Sequence, residues 1–332
     1  MSYRILLLKP QLVNIGNGMI AKGAKALLER AFPESEIIES SAYPYFMSDI
    51  AVENGGDEGL LNNTVGVGDY VDIDAAILPG CVLYPHPLRR HLPLFQRLNE
   101  SSTPIFVVGA GGNDYEPDTQ RAVSDLLEDA GISGLITRDE PAYEAYSDVV
   151  PEAYSGMDCA FFIDEWYEPP EADRDFVTAT FDKVEEPDFN DESRIVRPHH
   201  APFDLLRDVY EGDGVVGSVL NAGRKFTSDN ELETAYDELR KNNLFVSDNI
   251  RDYVFFYANA SEVHADRIHA CVPGLMYGNK IKFYYETPRA RLFDGMVDET
   301  DDGFEVIDEQ ILQEKKEKQT AWLSSLFEKY VE

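Results

Sequence analysis

Pro104-Ile105-Phe106-Val107-Val108-Gly109-Ala110-Gly111-Gly112 is an apolar run entered through proline and left through glycine. It shows no polar alternation, so it reads as a strand buried on both faces of a sheet. Arg4-Ile5-Leu6-Leu7-Leu8, Glu36-Ile37-Ile38, Ala75-Ala76-Ile77-Leu78 and Leu135-Ile136-Thr137 read the same way. The third ends at Pro79-Gly80 and the fourth at Arg138-Asp139-Glu140. Helical spacing of apolar residues over 19–31, 85–99, 117–130 and from 141 fills the gaps between them. Strands alternating with helices predict a mostly parallel, doubly wound sheet. Ligands of such sheets gather beyond the carboxyl ends of the strands. Three segments converge there: Asn14-Ile15-Gly16-Asn17-Gly18, which reads as a turn, Gly109–Gly112, and Arg138–Glu140.

The rhythm repeats further on. Residues 164–175 are acidic and proline-rich and read as a linker. A second α/β half starts at Phe176-Val177-Thr178-Ala179-Thr180. An acidic surface loop over 182–194 follows, then a strand Arg194–Arg197 leading into Pro198-His199-His200. Helices are expected over 229–242 and 250–260, and strands at Val263–Ala265 and Lys280–Tyr285. A charged amphipathic helix runs from about Ile307. The expected division is a Rossmann-like domain at 1–163, a linker at 164–175, a second Rossmann-like domain at 176–300, and an acidic loop with an amphipathic helix at 301–332.

Composition narrows the class. A chain of 332 residues suits two cores. Its net charge is −33, from 62 acidic against 29 basic residues, and the acid is dispersed along the whole length. Dispersed acid argues for a halophilic cytoplasm over a basic partner, and it repels nucleic-acid phosphates. Cys81, Cys159 and Cys271 lie far apart without CxxC spacing, which argues against a zinc site. The N-terminus lacks the form of a signal peptide, and no apolar run approaches the ~20 residues of a membrane helix. The reading is a soluble, cytoplasmic protein.

For chemistry the richest stretch is Ala265-Asp266-Arg267-Ile268-His269-Ala270-Cys271. A fixed cation two residues from a titratable imidazole suits an anionic substrate undergoing proton transfer. A buried Arg–Asp pair with a core histidine is the plain structural alternative. Gly109-Ala110-Gly111-Gly112 lacks the spacing of a dinucleotide fingerprint. His199-His200 has no companions at metal-binding spacing and is taken as a cleft-facing pair. Neither a P-loop nor a nucleophile elbow is present.

In order and spacing these segments resemble the polysaccharide pyruvyl transferase family over most of the chain. Asn14–Gly18 is similar to that family's Asn-x-Gly-Asp turn, with Asn17 in place of Asp. Ala76–Gly80 and Pro104–Gly111 resemble its strand-and-glycine segments, and Thr137-Arg138-Asp139-Glu140 its Arg-Asp-Glu step. Met157-Asp158-Cys159-Ala160-Phe161-Phe162 looks like its Asp-Pro-Ala-Phe segment, and Pro288–Phe293 like its later charged segment. Ala265–Ala270 is similar to its Ser-Asp-Arg-Leu-His-Gly. The resemblance implies two Rossmann-like halves facing a cleft, as in GT-B-type glycosyltransferases. It implies transfer of the pyruvyl group of phosphoenolpyruvate, a co-substrate, onto two hydroxyls of a glycan or lipid-linked sugar. No other cofactor and no metal is implied. His269 and Arg267 are the catalytic candidates. Arg138, Asp266, Asn14, Gly16, Asn17, Gly109, Gly111, His199 and His200 are the substrate-binding candidates, with Arg138 expected to face Arg267 and His269 across the cleft. A sugar-nucleotide glycosyltransferase and a non-catalytic glycan-binding or assembly protein are the competing functions. A homo-oligomer is compatible with all three.

Dispersed acid generates one direct expectation. Raising KCl toward 1 M shortens the Debye length to about 3 Å and should relieve self-repulsion in the compact state. The melting midpoint should climb with salt; a flat profile from dilute buffer upward would remove the halophilic reading.

Overall fold

The computed structural model describes residues 2–9, 14–41, 65–189, 194–200 and 241–331. Most of the helix expected over 229–242 lies outside them. The first sheet is parallel throughout, in the order β2-β1-β3-β4-β5-β6. Its strands are β1 (Arg4–Lys9), β2 (Glu36–Ser41), β3 (Ala75–Pro79), β4 (Ile105–Ala110), β5 (Gly134–Thr137) and β6 (Ala153–Ser155). The second has the order β12-β13-β11-β10-β7-β8-β9. It comprises β7 (Val177–Thr180), β8 (Ile195–Pro198), β9 (Leu244–Phe245), β10 (Glu262–Ala265), β11 (Lys280–Phe283), β12 (Val297–Glu299) and β13 (Glu305–Ile307). Its pairs from β11 to β9 are parallel, and β13 and β12 add an antiparallel edge.

The helices are α1 (Ile15–Ala31), α2 (Pro85–Glu100), α3 (Pro117–Asp129), α4 (Glu140–Tyr146), α5 (Ile163–Trp166), α6 (Ile250–Asn259), α7 (Ile268–Met276) and α8 (Glu309–Tyr330). This is the α/β architecture of two Rossmann-like parallel sheets with a C-terminal helix. In the first sheet the strand order reverses between β1 and β3, and in the second between β7 and β10. Crevices open at such points of reversal. Asn14 follows the first strand of one pair and Asp266 the last strand of the other, which places both segments at a crevice.

Alternation along β1 divides the core. Ile5 and Leu7 join one buried cluster, and Leu6 and Leu8 join another on the opposite face. The first cluster is continuous across both halves, from Met19 and Leu27 on α1 through Phe161 and Phe162 to Tyr253 and Val272. Helix α8 returns from the end of the second sheet to cover the first. Phe327 packs on Phe32 at 4.2 Å and on Phe106 at 5.4 Å between ring centroids. The Lys316 side chain is fully buried between Asp164 (2.8 Å) and Glu165 (3.0 Å). Acidic residues expected in a linker are therefore ion-paired, with Asp164 and Glu165 on the short helix α5.

One segment differs from its sequence reading, and another, left unassigned by the sequence, is helical. Asn14–Gly18 is the cap and first turn of α1, because the Asn14 side chain accepts from the Gly16 amide at 2.9 Å. The small residues after His269 continue as helix α7 despite Pro273 and Gly274. A Cβ on Gly274 would lie 2.8 Å from Val263 Cγ2, so the glycine lets α7 lie close on β10, and packing overrides propensity. All three cysteines are free. Among the described residues no helix is long and apolar enough to cross a membrane.

Gly23 sets the distance between α1 and the segment carrying Asp158. A Cβ there would sit 1.9 Å from the Cys159 carbonyl oxygen, a backbone atom. Gly23→Ala should therefore destabilise the chain by about 3 kcal/mol, at the upper end of overpacking costs. The check is the urea midpoint, and an unchanged midpoint would refute the close contact.

Candidate functional site

A carboxylate from the first half meets an imidazole from the second. Asp158 caps the short 3-10 helix Cys159–Phe162, its Oδ1 accepting from the Ala160 amide at 2.9 Å. Its Oδ2 accepts from Arg138 Nη1 at 3.1 Å and lies 3.3 Å from His269 Nε2. The Asp158 and Arg138 side chains are fully buried. Burial opposes the Asp158 charge, but His269 and Arg138 together hold its carboxyl far below the usual range. An ionised carboxylate only accepts, so Nε2 of His269 carries its proton and Nδ1 keeps the lone pair. Burial pushes the His269 pKa down, Asp158 pulls against it, and Arg138 and Arg289 depress it further. The imidazole is thus a neutral base near pH 7.

His269 comes from the first turn of α7, with Arg267 as the cap residue. Gly16 is what lets α1 begin beside it: a Cβ there would lie 2.9 Å from His269 Cβ and 3.0 Å from Nδ1. The two helices start at the same wall. In front of it opens a pocket of about 460 Å³, counted out to its mouth. Asn14, Lys183, His200, Asp266, Arg267, His269, Tyr285 and Arg289 are among the residues that line it. Its cations differ in how they are held. Arg267 grips Asp182, with Nε donating to Oδ1 at 2.6 Å and Nη2 to Oδ2. Burial and the neighbouring Arg289 bring its pKa down to about 10. Among the described residues no carboxylate pairs with Lys183 or Arg289, and the Arg289 Nε is buried without a hydrogen-bond partner.

A family model described as polysaccharide pyruvyl transferase matches residues 14–278. The chain belongs to the polysaccharide pyruvyl transferase family. No curated protein matches it. Among solved structures it is similar to an uncharacterised protein from Klebsiella pneumoniae subsp. pneumoniae NTUH-K2044, at 12% identity over 88% of this chain and 87% of that one, with a TM-score of 0.46. It is also similar to the UDP-N-acetylglucosamine 2-epimerase of Rickettsia bellii, at 10% identity over 100% and 97%, TM-score 0.47. The UDP-GlcNAc 2-epimerase of Neisseria meningitidis, bound to UDP-GlcNAc, matches at 11% identity over 99% and 92%, TM-score 0.41.

The matched pyruvyl transferase segment runs from Asn14 to just beyond α7, so it contains the Asp158–His269 pair and both helix starts. Several residues singled out in the sequence hold others in place. Arg138 does not line the pocket. Its guanidinium is enclosed by Asp158, by Asp139 at 3.6 Å and by the Cys81 sulfur at 3.7 Å. Gly111 makes room for that guanidinium, since a Cβ would lie 2.2 Å from Arg138 Nε. Gly109, at φ +61°, makes room for Cys159, whose sulfur would be 2.7 Å from its Cβ. The glycine run is therefore a bed for buried side chains and not a phosphate cradle. Asp266 Oδ2 accepts the amides of Asp182, Lys183 and Val184, which ties down the loop after β7. Burial raises its pKa against the pull of those amides.

His199 lines an adjoining groove, and its carbonyl accepts from the Tyr253 hydroxyl at 2.8 Å. His200 is buried, with Nε2 2.7 Å from the Tyr257 hydroxyl and its carbonyl accepting from the Ile15 amide at 2.9 Å. Asn17 is half-buried in the first turn of α1 and does not line the pocket. Asp158, Lys183 and Arg289 are site residues absent from the sequence candidates. Asp158 and Arg289 lie within family-like segments, and Lys183 follows β7 at the point where strand order reverses.

Burial lowers the His200 pKa to about 3, against about 6.5 in an unfolded chain. Between those values the unfolded chain binds a proton that the folded one excludes. Stability is therefore retained above pH 6.5 and lost as pH falls, by about 1.4 kcal/mol per unit for each such group. From pH 7 to 5, His200 should cost about 2 kcal/mol. Urea melts of His200→Gln should show a smaller acid loss than the parent; equal losses would assign the acid sensitivity elsewhere.

Proposed function

We propose that this member of the family transfers the pyruvyl group of phosphoenolpyruvate onto two hydroxyls of a glycan, forming a cyclic ketal. The observation that carries the reading is a cationic pocket in a chain of net charge −33: among the described residues Lys183 and Arg289 lack carboxylate partners there, beside a neutral, buried His269. Phosphoenolpyruvate has a phosphate and a carboxylate. Planar guanidinium groups suit both, and local cations hold a multiply charged anion against the general field.

The reaction balances as follows. One acceptor hydroxyl adds to C2 and the other displaces phosphate from it, forming two C–O bonds and breaking one. The C3 methylene gains one proton and becomes a methyl group, and the departing phosphate gains the second. Both protons come from the acceptor hydroxyls. His269, in the pocket wall with its ring fixed by Asp158, takes a proton from the attacking hydroxyl and returns it. Arg138 acts through Asp158 and holds that carboxylate ionised. Arg267, Arg289 and Lys183 hold the donor anion, and the starts of α1 and α7 add favourable dipoles.

His269→Gln should retain the fold and lower turnover by about 10²- to 10⁴-fold, the usual worth of a general base. The measurement is mass analysis of oligosaccharides incubated with phosphoenolpyruvate in high salt. Turnover within twofold of the parent would remove His269 from the chemistry, and no ketal from the parent protein would overturn the reading.

A further inference from the structure

A second histidine borders the cationic pocket, and the chemistry above leaves it idle. His200 lies just beyond β8 in the pocket wall and is 3% exposed. It is pinned from several sides. The Ile15 amide donates to its carbonyl at 2.9 Å, and the Tyr253 and Tyr257 rings meet its ring edge-on, with centroids 6.0 and 5.8 Å away. Its Nε2 lies 2.7 Å from the Tyr257 hydroxyl, which in turn lies 2.9 Å from Thr180 Oγ1. Among the described residues Nδ1 has no hydrogen-bond partner, and the Tyr257 and Thr180 hydroxyls have no partners beyond this chain. Both hydroxyls belong to buried side chains. Burial also keeps the His200 ring neutral.

A neutral imidazole carries one N–H, and this chain of three groups decides which nitrogen holds it. Suppose Nε2 held the proton. It would donate to Tyr257, Tyr257 would donate to Thr180, and the Thr180 hydrogen would be left buried without an acceptor, which is costly. Nδ1 would then be a bare lone pair at the wall of a pocket that holds Lys183 and Arg289, and it would repel any anion drawn there. With the proton on Nδ1 both conflicts vanish. Thr180 donates to Tyr257, Tyr257 donates to Nε2, and the one donor left over is the Nδ1–H. We infer that His200 presents a neutral Nδ1–H donor to an oxyanion bound in this pocket, with Thr180 and Tyr257 setting its tautomer. The two neutral imidazoles then have opposite polarity: His269 accepts a proton and His200 donates a hydrogen bond. His200 keeps its proton throughout. Its hydrogen bond strengthens as charge gathers on the oxygen it touches, which is where a fixed dipole does most for a leaving phosphate. That the oxyanion is phosphoenolpyruvate rests on the pyruvyl-transfer reading; the tautomer rests on the Thr180–Tyr257–His200 chain alone.

The chain has six histidines, few enough for their ring nitrogens to be followed one by one by NMR after nitrogen-15 labelling. The His200 signals are those lost in His200→Gln or, where that variant does not fold, those displaced in Tyr257→Phe. At pH 7 the parent should show His200 with a protonated Nδ1 and a bare Nε2, the reverse of His269. Tyr257→Phe removes the hydroxyl that holds Nε2 bare, so the share of the Nε2–H form should rise about tenfold, the weight of one hydrogen bond. Inorganic phosphate and then phosphoenolpyruvate, added to the parent, should each move the Nδ1 proton signal of His200 and leave its Nε2 bare. A protonated Nε2 in the parent overturns the inference. So does a tautomer ratio that Tyr257→Phe leaves unchanged, binding of either anion that leaves the Nδ1 proton unmoved, or the absence of binding by both. Should phosphate bind and move that proton while phosphoenolpyruvate does not bind, the donor assignment falls and the role of His200 stands.

Discussion

A single buried charge ties the two halves together. Asp158 cannot be ionised in an apolar interior unless its surroundings repay the lost hydration. Here Arg138 and the Ala160 amide come from its own half, and His269 comes from the other. Deleting one member of such a fully buried pair costs about 3–5 kcal/mol, because it leaves the partner charged and alone. The glycines around it follow from this requirement. Gly111 admits the Arg138 guanidinium, Gly109 admits Cys159, Gly16 admits His269, and Gly23 brings α1 onto the Cys159 carbonyl. Each is a place where a methyl group would push the charge out of register.

From that arrangement the reactivity of the pocket follows. Asp158 fixes the imidazole tautomer, and burial keeps the ring neutral. Arg267, paired with Asp182, stands in front of it with Lys183 and Arg289, which have no carboxylate partner among the described residues. Asp266 contributes at one remove, by gathering three successive amides so that the loop after β7 presents Asp182 and Lys183 in fixed places. Buried ion pairs thus serve as scaffolding around a pocket in which, among the described residues, Lys183 and Arg289 have no carboxylate partner.

Much of the fold could be read from the chain because buried parallel strands leave an unmixed signal. Runs such as Ile105–Val108 and Ile5–Leu8 are apolar on both faces, and their spacing with helices specifies parallel sheets. The Asn14–Gly18 segment misled because asparagine and glycine favour both turns and helix starts, and only the side-chain cap on Gly16 decides between them. The segment after His269 left no legible element, because Pro273 and Gly274 disfavour a helix that close packing on Val263 restores. At the site, Arg267 and His269 stood out by residue type, and both line the pocket. Arg138 stood out equally and is enclosed, since no local pattern states whether a guanidinium faces a crevice or a buried carboxylate. Lys183 carried no signal beyond its position after a strand, and Arg289 lay in a segment noted only for its charge.

Helix α8 has a consequence for how the chain comes to be folded during synthesis. It lies last in sequence, yet Phe327 closes over Phe32 and Phe106 in the first half, and Lys316 anchors on α5. A nascent chain emerging from the ribosome presents the whole first sheet long before its lid exists. Until residues 309–330 are released, that apolar face stays wet and open to other chains. The half that is made first is therefore the half that is completed last, and a premature stop before Glu309 strips cover from the opposite end of the sequence.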